Sequence, residues 1–444
     1  LGGISTPPFP MASAEPLLEP SVPAGVGVLA ATLSLAKTCV GTGVLALPYG
    51  FVQGRLLSFP SLVLLGGWNW VTSLQLLQAH AAAAREGLVV GARGASAYSQ
   101  LSRVALGLGG QCLADGSLVL LLLGVCVGLQ IQAGGLLAYA TGQSRQACVA
   151  FTALLLLPLV LQRSMHGLAH VSIFGLAVLL FGLVVVAAYG VTTYGVPALS
   201  SRLSELPSMP GFAEFVGIAC FSFGLQSILL SVRDGMQQPS RAPSAVAYAL
   251  VAVVSFYSVV GLVFSELFEK APNGVEQMII QNLPVDQPIA TLVIACSAAV
   301  AALSMPLPMF PLVELLYMYA IYLLPSTQSL SGGRSAALAA QRTVVLRLLI
   351  LLATSSTACF FQGFASVAGF LGCLTIISSQ LLPPLIHLRL CSWPAMSSAQ
   401  HSKDRSFLVY WRLSVDIGFA LLGGASFVYF TWLTGRQLAL GTGS

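Results

Sequence analysis

The stretch Ser34-Leu-Ala-Lys-Thr-Cys-Val-Gly-Thr-Gly-Val-Leu-Ala-Leu-Pro48 lies inside an apolar segment, Val26 to Phe51, long enough to cross a bilayer as one helix. It nevertheless carries Lys37, a Gly41-Thr42-Gly43 triplet at its middle and Pro48 near its end. Glycines weaken a helix, and in lipid a broken helix is tolerated only where the freed backbone lines a cavity within the protein. Interrupted helices of this kind point to a transporter's binding site. The alternative reading is a tight packing face of small residues.

Composition places the whole chain in a membrane. Of 444 residues 56% are hydrophobic and only 7% charged, with a mean hydropathy of +0.88. Soluble proteins carry roughly a quarter charged residues. The net charge of +5 is scattered, without the Lys/Arg run that nucleic acid requires. Cys39, Cys126, Cys220, Cys296, Cys359 and Cys373 fall in apolar spans and read as small hydrophobes, and no C-x-x-C pair occurs. His166 and His170 share a helix face, but His80, His387 and His401 make no second pair. Both therefore read as loop or interface residues, with no metal and no cofactor expected. No G-x-S-x-G elbow is present, so nothing points to an enzyme. The chain begins at Leu1, with Met11 an alternative start, and residues 1–23 read as a proline-rich flexible tail without signal-peptide character.

Hydropathy and helix breakers predict eleven spans, at about 26–50, 57–81, 116–141, 148–161, 167–193, 212–232, 246–268, 288–323, 343–361, 364–388 and 414–433. Pro306, Pro308 and Pro311 predict a kink in the eighth, and 326–340 reads as a linker. Of the 19 Lys and Arg residues, Lys37 is inside a span. Arg55, Arg145, Arg202, Lys270 and Arg436 fall on one side and the other thirteen on the opposite side. By the positive-inside rule the N-terminus is cytoplasmic.

Spans one to five and six to ten form two blocks, about 26–193 and 212–388, with an extra helix at 414–433, in one transporter domain over 24–434. Five is odd, so the second block is inverted relative to the first, the plan of many secondary transporters. Span six must then be broken as span one is. Ser222 and Gly224 fall near its middle.

Lys37-Thr-Cys-Val-Gly-Thr-Gly-Val-Leu-Ala-Leu-Pro-Tyr49 with Gln53-Gly54 resembles the first-helix signature of the amino acid/auxin permease family, particularly its proton-coupled and vacuolar branches. Leu157-Pro158, Ser164-Met165, Phe221-Ser-Phe223, Met236, Pro239, Gln281-Asn-Leu-Pro284, Phe310-Pro311, Glu314, Gly369 and Leu382-Pro-Pro-Leu385 extend the resemblance over about 33–388. It implies an all-α LeuT-type fold of eleven helices with helices one and six broken. The chain departs from proton-coupled animal members at Ser34, where histidine is common, and at Gly224, where glutamate is common. Paired lumenal cysteines are also missing from 193–211 and 269–287. These departures leave the coupling ion open.

If the first helix opens at Gly41-Thr42-Gly43, its second half presents free N–H groups and the positive dipole end to a carboxylate, and Thr42 adds a hydroxyl. Carbonyls near Val40 and Phe221 are placed to accept from an ammonium. With Thr38, Ser222 and Gly224 these form the expected substrate site, and Phe221 and Phe223 either wall it or belong to the core. Lys37 inside a bilayer costs about 2.5–3.5 kcal/mol on insertion scales, so it pairs, faces a cavity or snorkels. In sodium-coupled relatives an asparagine near this position ligates sodium, so an ammonium here argues against that ion. Glu314 reads as the acid deep in a helix, a proton carrier or a partner for Lys37. Asp115 and Asp416 read as interfacial. Gln130, Gln132 and Ser304 are polar groups able to reach the cavity. The expected function is secondary-active transport of small neutral amino acids, with H+ as coupling ion. Sodium-coupled or facilitative transport, or a non-transporting amino acid sensor, are the alternatives. The membrane, vacuolar/lysosomal or plasma, is left open, as an acidic-dileucine-like segment at Glu15–Pro20 does not decide it.

Overall fold

The computed structural model describes residues 25–88, 95–161, 168–196, 205–323, 333–361, 363–392 and 403–440. The tail 1–23 and His166 lie outside the described residues, as does the side chain of His170. Among the described residues every regular element is helical, and the extended pairing is an isolated bridge between Val26 and Met236.

The first apolar segment breaks at its glycines. Helix α1 (Val28–Cys39) stops, and Val40 (ψ 83°) and Gly41 (φ −129°, ψ −152°) leave the helical region. A 3-10 turn (Thr42–Ala46) then leads into α2 (Leu47–Gly54). Pro48 sits in the first turn of α2, where a missing N–H is harmless. The chain turns at Arg55, whose φ is +45°, into α3 (Ser58–Arg85). Next come α4 (Ala95–Thr141), α5 (Arg145–Val160) and α6 (Leu168–Tyr194). Helix α4 starts well before the expected 116 and is kinked at Gly107, where a φ of +72° suits glycine.

The sixth segment is also broken. Helix α7 (Met209–Ser222), capped by Ser208, ends at Phe223, and α8 (Gln226–Asp234) resumes. Then follow α9 (Ala242–Leu267), α10 (Pro288–Ser304) and α11 (Pro306–Leu323), the last two divided at Met305 beside the predicted proline kink. Helix α12 (Gly333–Phe360) takes in the second part of the stretch expected to be a linker. The set is completed by α13 (Phe364–Ile376), a π-helical turn (Ile377–Leu381), α14 (Leu382–His387), a second π-helical turn (Leu388–Ser392) and α15 (Lys403–Leu440).

Among the described residues eight helices are long and apolar enough to cross a membrane, or nine with the bent pair Val28–Cys39 and Thr42–Arg85 taken as one span, against the eleven spans predicted. Two features account for the difference. Helix α5, at 16 residues, is short for a crossing, and α2 runs on through the Arg55 turn into α3 as one helical stretch.

The two broken segments run in opposite directions. The N–H groups of Gly25 and Val26, at the start of α1, donate to the Gly235 carbonyl at the end of α8, and the Gln237 N–H donates back to Val26. The first half of each segment thus packs beside the second half of the other, α1 against α8 and α2 against α7, with α9 behind α1 and α2. Aromatic rings lock this pairing, Phe51 of α2 meeting Phe215 of α7 edge-on at 5.6 Å.

Helix α7 lies closest to α13. A Cβ on Gly217 would sit 2.0 Å from the Gly369 carbonyl oxygen, and one on Gly372 would sit 1.7 Å from the Gly217 oxygen. Only hydrogen side chains permit such an approach, and small residues are how membrane helices pack without a hydrophobic driving force between them. Replacing Gly372 by alanine is expected to destabilise the fold by about 1–3 kcal/mol through overpacking. A thermal-unfolding series in detergent checks this, with Gly67→Ala, at an exposed position with nothing within 4 Å, expected to be no less stable than the native chain.

Candidate functional site

The two breaks have the same local construction. In the first, the Gly41 N–H closes on the Cys39 carbonyl (2.9 Å) and the Val44 N–H on the Gly41 carbonyl (3.2 Å). In the second, the Leu225 N–H closes on the Phe223 carbonyl (2.8 Å) and the Ile228 N–H on the Leu225 carbonyl (3.3 Å). A tight two-residue closure followed by a three-residue one recurs at equal spacing, although the two sequences share little. The second break therefore lies at Phe223–Leu225, just past Ser222, which remains helical and turns its hydroxyl back to the Ile218 carbonyl (2.9 Å).

The breaks touch. Gly43 packs on Phe221 and Ser222 so closely that a Cβ there would lie 2.5 Å from Ser222 Oγ and 3.3 Å from the Phe221 ring. Gly41 and Gly224 face open space, with nothing within 4 Å of an added Cβ. The Thr42 and Gly43 N–H groups, at the N-terminal end of the 3-10 turn, donate to no backbone carbonyl among the described residues. Unpaired amides at a helix start, beside open space, favour a carboxylate.

One tyrosine joins the two breaks. Tyr257 of α9 is fully buried, and its hydroxyl lies 2.6 Å from the Cys39 carbonyl and 2.8 Å from the Ser222 carbonyl, the last residues of α1 and α7. Two helix C-termini, each carrying partial negative charge, converge on a single O–H. Beside the second break, Gln226 donates from Nε2 to Asn69 Oδ1 of α3 (2.6 Å), while its buried Oε1 has no hydrogen-bond partner among the described residues. That orphaned acceptor and the carbonyl ends suit a cationic donor such as an ammonium. Tyr257 and Gln226 were both missed in the sequence. A hydroxyl midway along span seven and an amide just past the second break were the available signals.

The remaining expected residues fall in different places. Thr38 is exposed, and its hydroxyl bonds the Ser34 carbonyl of its own helix (2.9 Å). Val40 and Thr42 are half-buried at the break. Phe221 is half-buried against Gly43, whereas Phe223 is buried and packs on the Tyr257 ring at 5.5 Å, which makes it core. Gln130 is buried in a polar knot with Thr152 and Ser355 rather than at the breaks. Gln132 is also buried, and Ser304 is half-buried at the end of α10.

Lys37 sits half-buried in the last turn of α1, where its charge complements the helix dipole. Glu314 is exposed on α11, and neither residue forms an ion pair among the described residues, so the expected Lys37–Glu314 pairing is not formed. The reading of Glu314 as the one acid deep in a helix is also corrected. Asp115, Glu214 and Asp416 are the buried acids among the described residues. Asp416, expected at an interface, accepts from Gln75 Nε2 (2.9 Å) and pairs with His387 (2.8 Å) and Ser392. Helical continuation beyond the predicted span ends brought these groups inside.

A methyl group at Gly43 must displace the Ser222 hydroxyl. Gly43→Ala is expected to lower ligand binding or transport by about five-fold or more, since overpacking of this kind costs on the order of 1–3 kcal/mol. Adding Ser222→Ala removes the oxygen and is expected to restore most of the loss, which a double-mutant cycle reads directly.

Three comparisons bear on identity. A solved structure of a Na+-coupled sialic acid symporter, in a substrate-bound outward-open state, matches with a TM-score of 0.52 at 12% identity, covering 94% of this chain and 90% of that one. The fold is thus of the LeuT type, with both broken helices in place. Vacuolar amino acid transporter 3 of Saccharomyces cerevisiae is 25% identical over 91% of this chain, and its namesake in Schizosaccharomyces pombe 24% identical over 82%. The chain spans 56% and 53% of the length of these curated relatives. The profile of the transmembrane amino acid transporter protein family matches residues 24–425. The chain is a multi-pass membrane protein and belongs to the transmembrane amino acid transporter family.

Proposed function

We propose that the chain moves small neutral amino acids across a membrane by alternating access, with protons as the coupling ion. The observation that carries the reading is the meeting of the two breaks. The first break offers the N–H groups of Thr42 and Gly43, which donate to no backbone carbonyl among the described residues, and the second offers the helix C-terminus at Ser222 and the orphaned Gln226 oxygen. An α-amino acid presents a carboxylate and an ammonium, one group for each kind of partner. The absence of a described charged side chain at the breaks, apart from Lys37 a turn away, favours an uncharged substrate side chain. The tight closure of Gly43 on Phe221 and Ser222 limits the space beside the breaks, which favours a small one.

Movement would rock the segments α1–α2 and α7–α8 against the remaining helices. Such rocking requires the α7–α13 contact to slide or part. The relatives' vacuolar names favour an organelle membrane, and the distribution of Lys and Arg favours a cytoplasmic N-terminus. Sodium coupling has one observation in its favour, the printed description of the fold neighbour as sodium-coupled. Lys37 beside the first break opposes it, because an ammonium repels a second cation.

Uptake of a labelled amino acid mixture into proteoliposomes, driven separately by pH and sodium gradients, tests the proposal. The expected result is accumulation that follows the pH gradient and collapses with an uncoupler. Accumulation driven by sodium contradicts proton coupling and the role given to Lys37. Binding without uptake contradicts transport and favours a sensor.

A further inference from the structure

The three buried acids differ in their partners. Asp416 is held by His387, Gln75 and Ser392, and Asp115 accepts from Tyr319. Glu214 forms no ion pair among the described residues. It is 5% exposed, on the broken helix α7, and its Oε1 accepts from Ser366 Oγ of α13 at 2.8 Å. Against it lies the backbone of Gly369, and Tyr49 of α2 is close enough for its hydroxyl to feel the Glu214 charge. Of the other elements packed on α7, α15 carries Asp416, held by His387, and Arg436, over the Trp432 ring, and α3 carries His80, bonded to Arg233; none pairs with Glu214 among the described residues. A carboxylate at membrane depth without a counter-charge is costly, and such a group is neutral when buried or sits where water reaches it in another state.

Its position supplies that second state. Glu214 and Ser366 lie across the α7–α13 interface, one turn from the Gly217–Gly369–Gly372 contact where the two backbones touch. Any rocking of α7 away from α13 breaks the Ser366 hydrogen bond and opens the carboxyl to water. Closing the interface buries it again, and burial favours the protonated form.

We propose that Glu214 is the proton-binding site of this chain, exchanging its proton with water while the α7–α13 interface is open and holding it while the interface is closed. The proposal rests on the transport reading given above and names the group that would couple it to protons. The reaction is a reversible proton transfer between the Glu214 carboxyl and water, with no other bond made or broken. Glu314, exposed on α11 and away from both breaks, has no comparable gate.

The test compares pH-driven accumulation with substrate counterflow in proteoliposomes for the native chain and Glu214→Gln. A gradient of one pH unit supports about ten-fold accumulation at one proton per substrate. Glu214→Gln is expected to equilibrate without accumulating, while counterflow, which needs no net proton movement, persists. Ser366→Ala removes the donor that stabilises the ionised carboxyl and is expected to shift half-maximal uptake upward by about one pH unit. If Glu214→Gln still accumulates substrate, or if Glu314→Gln decouples in its place, the proposal is overturned. If Glu214→Gln supports no counterflow, the Ser366→Ala profile decides, an unshifted profile overturning it. A native chain that transports without any response to pH overturns it too, and leaves amino acid transport standing.

Discussion

The Tyr257 hydroxyl has one proton and two carbonyls to serve, Cys39 at the end of α1 and Ser222 at the end of α7. Everything proposed for this protein depends on that junction. Without this donor, two helix C-termini, each with partial negative charge, would face one another across a buried gap with nothing between them to offset it. With it, α9 holds both breaks at hydrogen-bond distance from one point, and Gly43 can close on Ser222 from the side. Freed amides of the first break and freed carbonyls of both are thereby gathered in one place. The ring is held in turn by Phe223.

Around this junction the packing is graded. Between α7 and α13 the backbones touch at glycines, so small displacements there are steeply resisted until the helices part. The face of α15 is looser and apolar, with Leu421, Val428 and Trp432 exposed outward, as a lipid-facing surface requires. Between them, Asp416 of α15 is tied to His387 of α14 and Gln75 of α3, a buried polar clamp that joins the extra helix to both repeats. A tight sliding contact beside a firmly clamped one is the mechanical arrangement that a rocking bundle needs.

Much of this was legible in the sequence, and the reasons for the rest are physical. The first break was visible because Gly41 and Gly43 flank Thr42, and two glycines at that spacing have no other use in a lipid-spanning helix than a break or a close contact. Here they serve for both. The second break falls around Gly224, the residue that marked it, but its bonds are made by Phe223 and Leu225, whose types say nothing about backbone conformation. Which way Thr38 and Phe223 point was not legible, because sequence proximity to a break does not fix a side chain's direction. The exposed Glu314 was preferred to the buried Glu214 because hydropathy ranks depth along a helix and is blind to which face is covered. The His387–Asp416 pair joins residues on separate helices, and no period in the chain reports such a contact.

The most direct test of this account is the equilibrium affinity of the purified protein for a small neutral amino acid, native against Tyr257→Phe. Phenylalanine keeps the ring that packs on Phe223 and removes only the bridging O–H. Leaving a buried carbonyl without its donor costs on the order of 1–3 kcal/mol, so the account predicts binding weakened by about five-fold or more in a protein that still folds. Unchanged or tighter binding would show that the two breaks keep their places without Tyr257, and would contradict it.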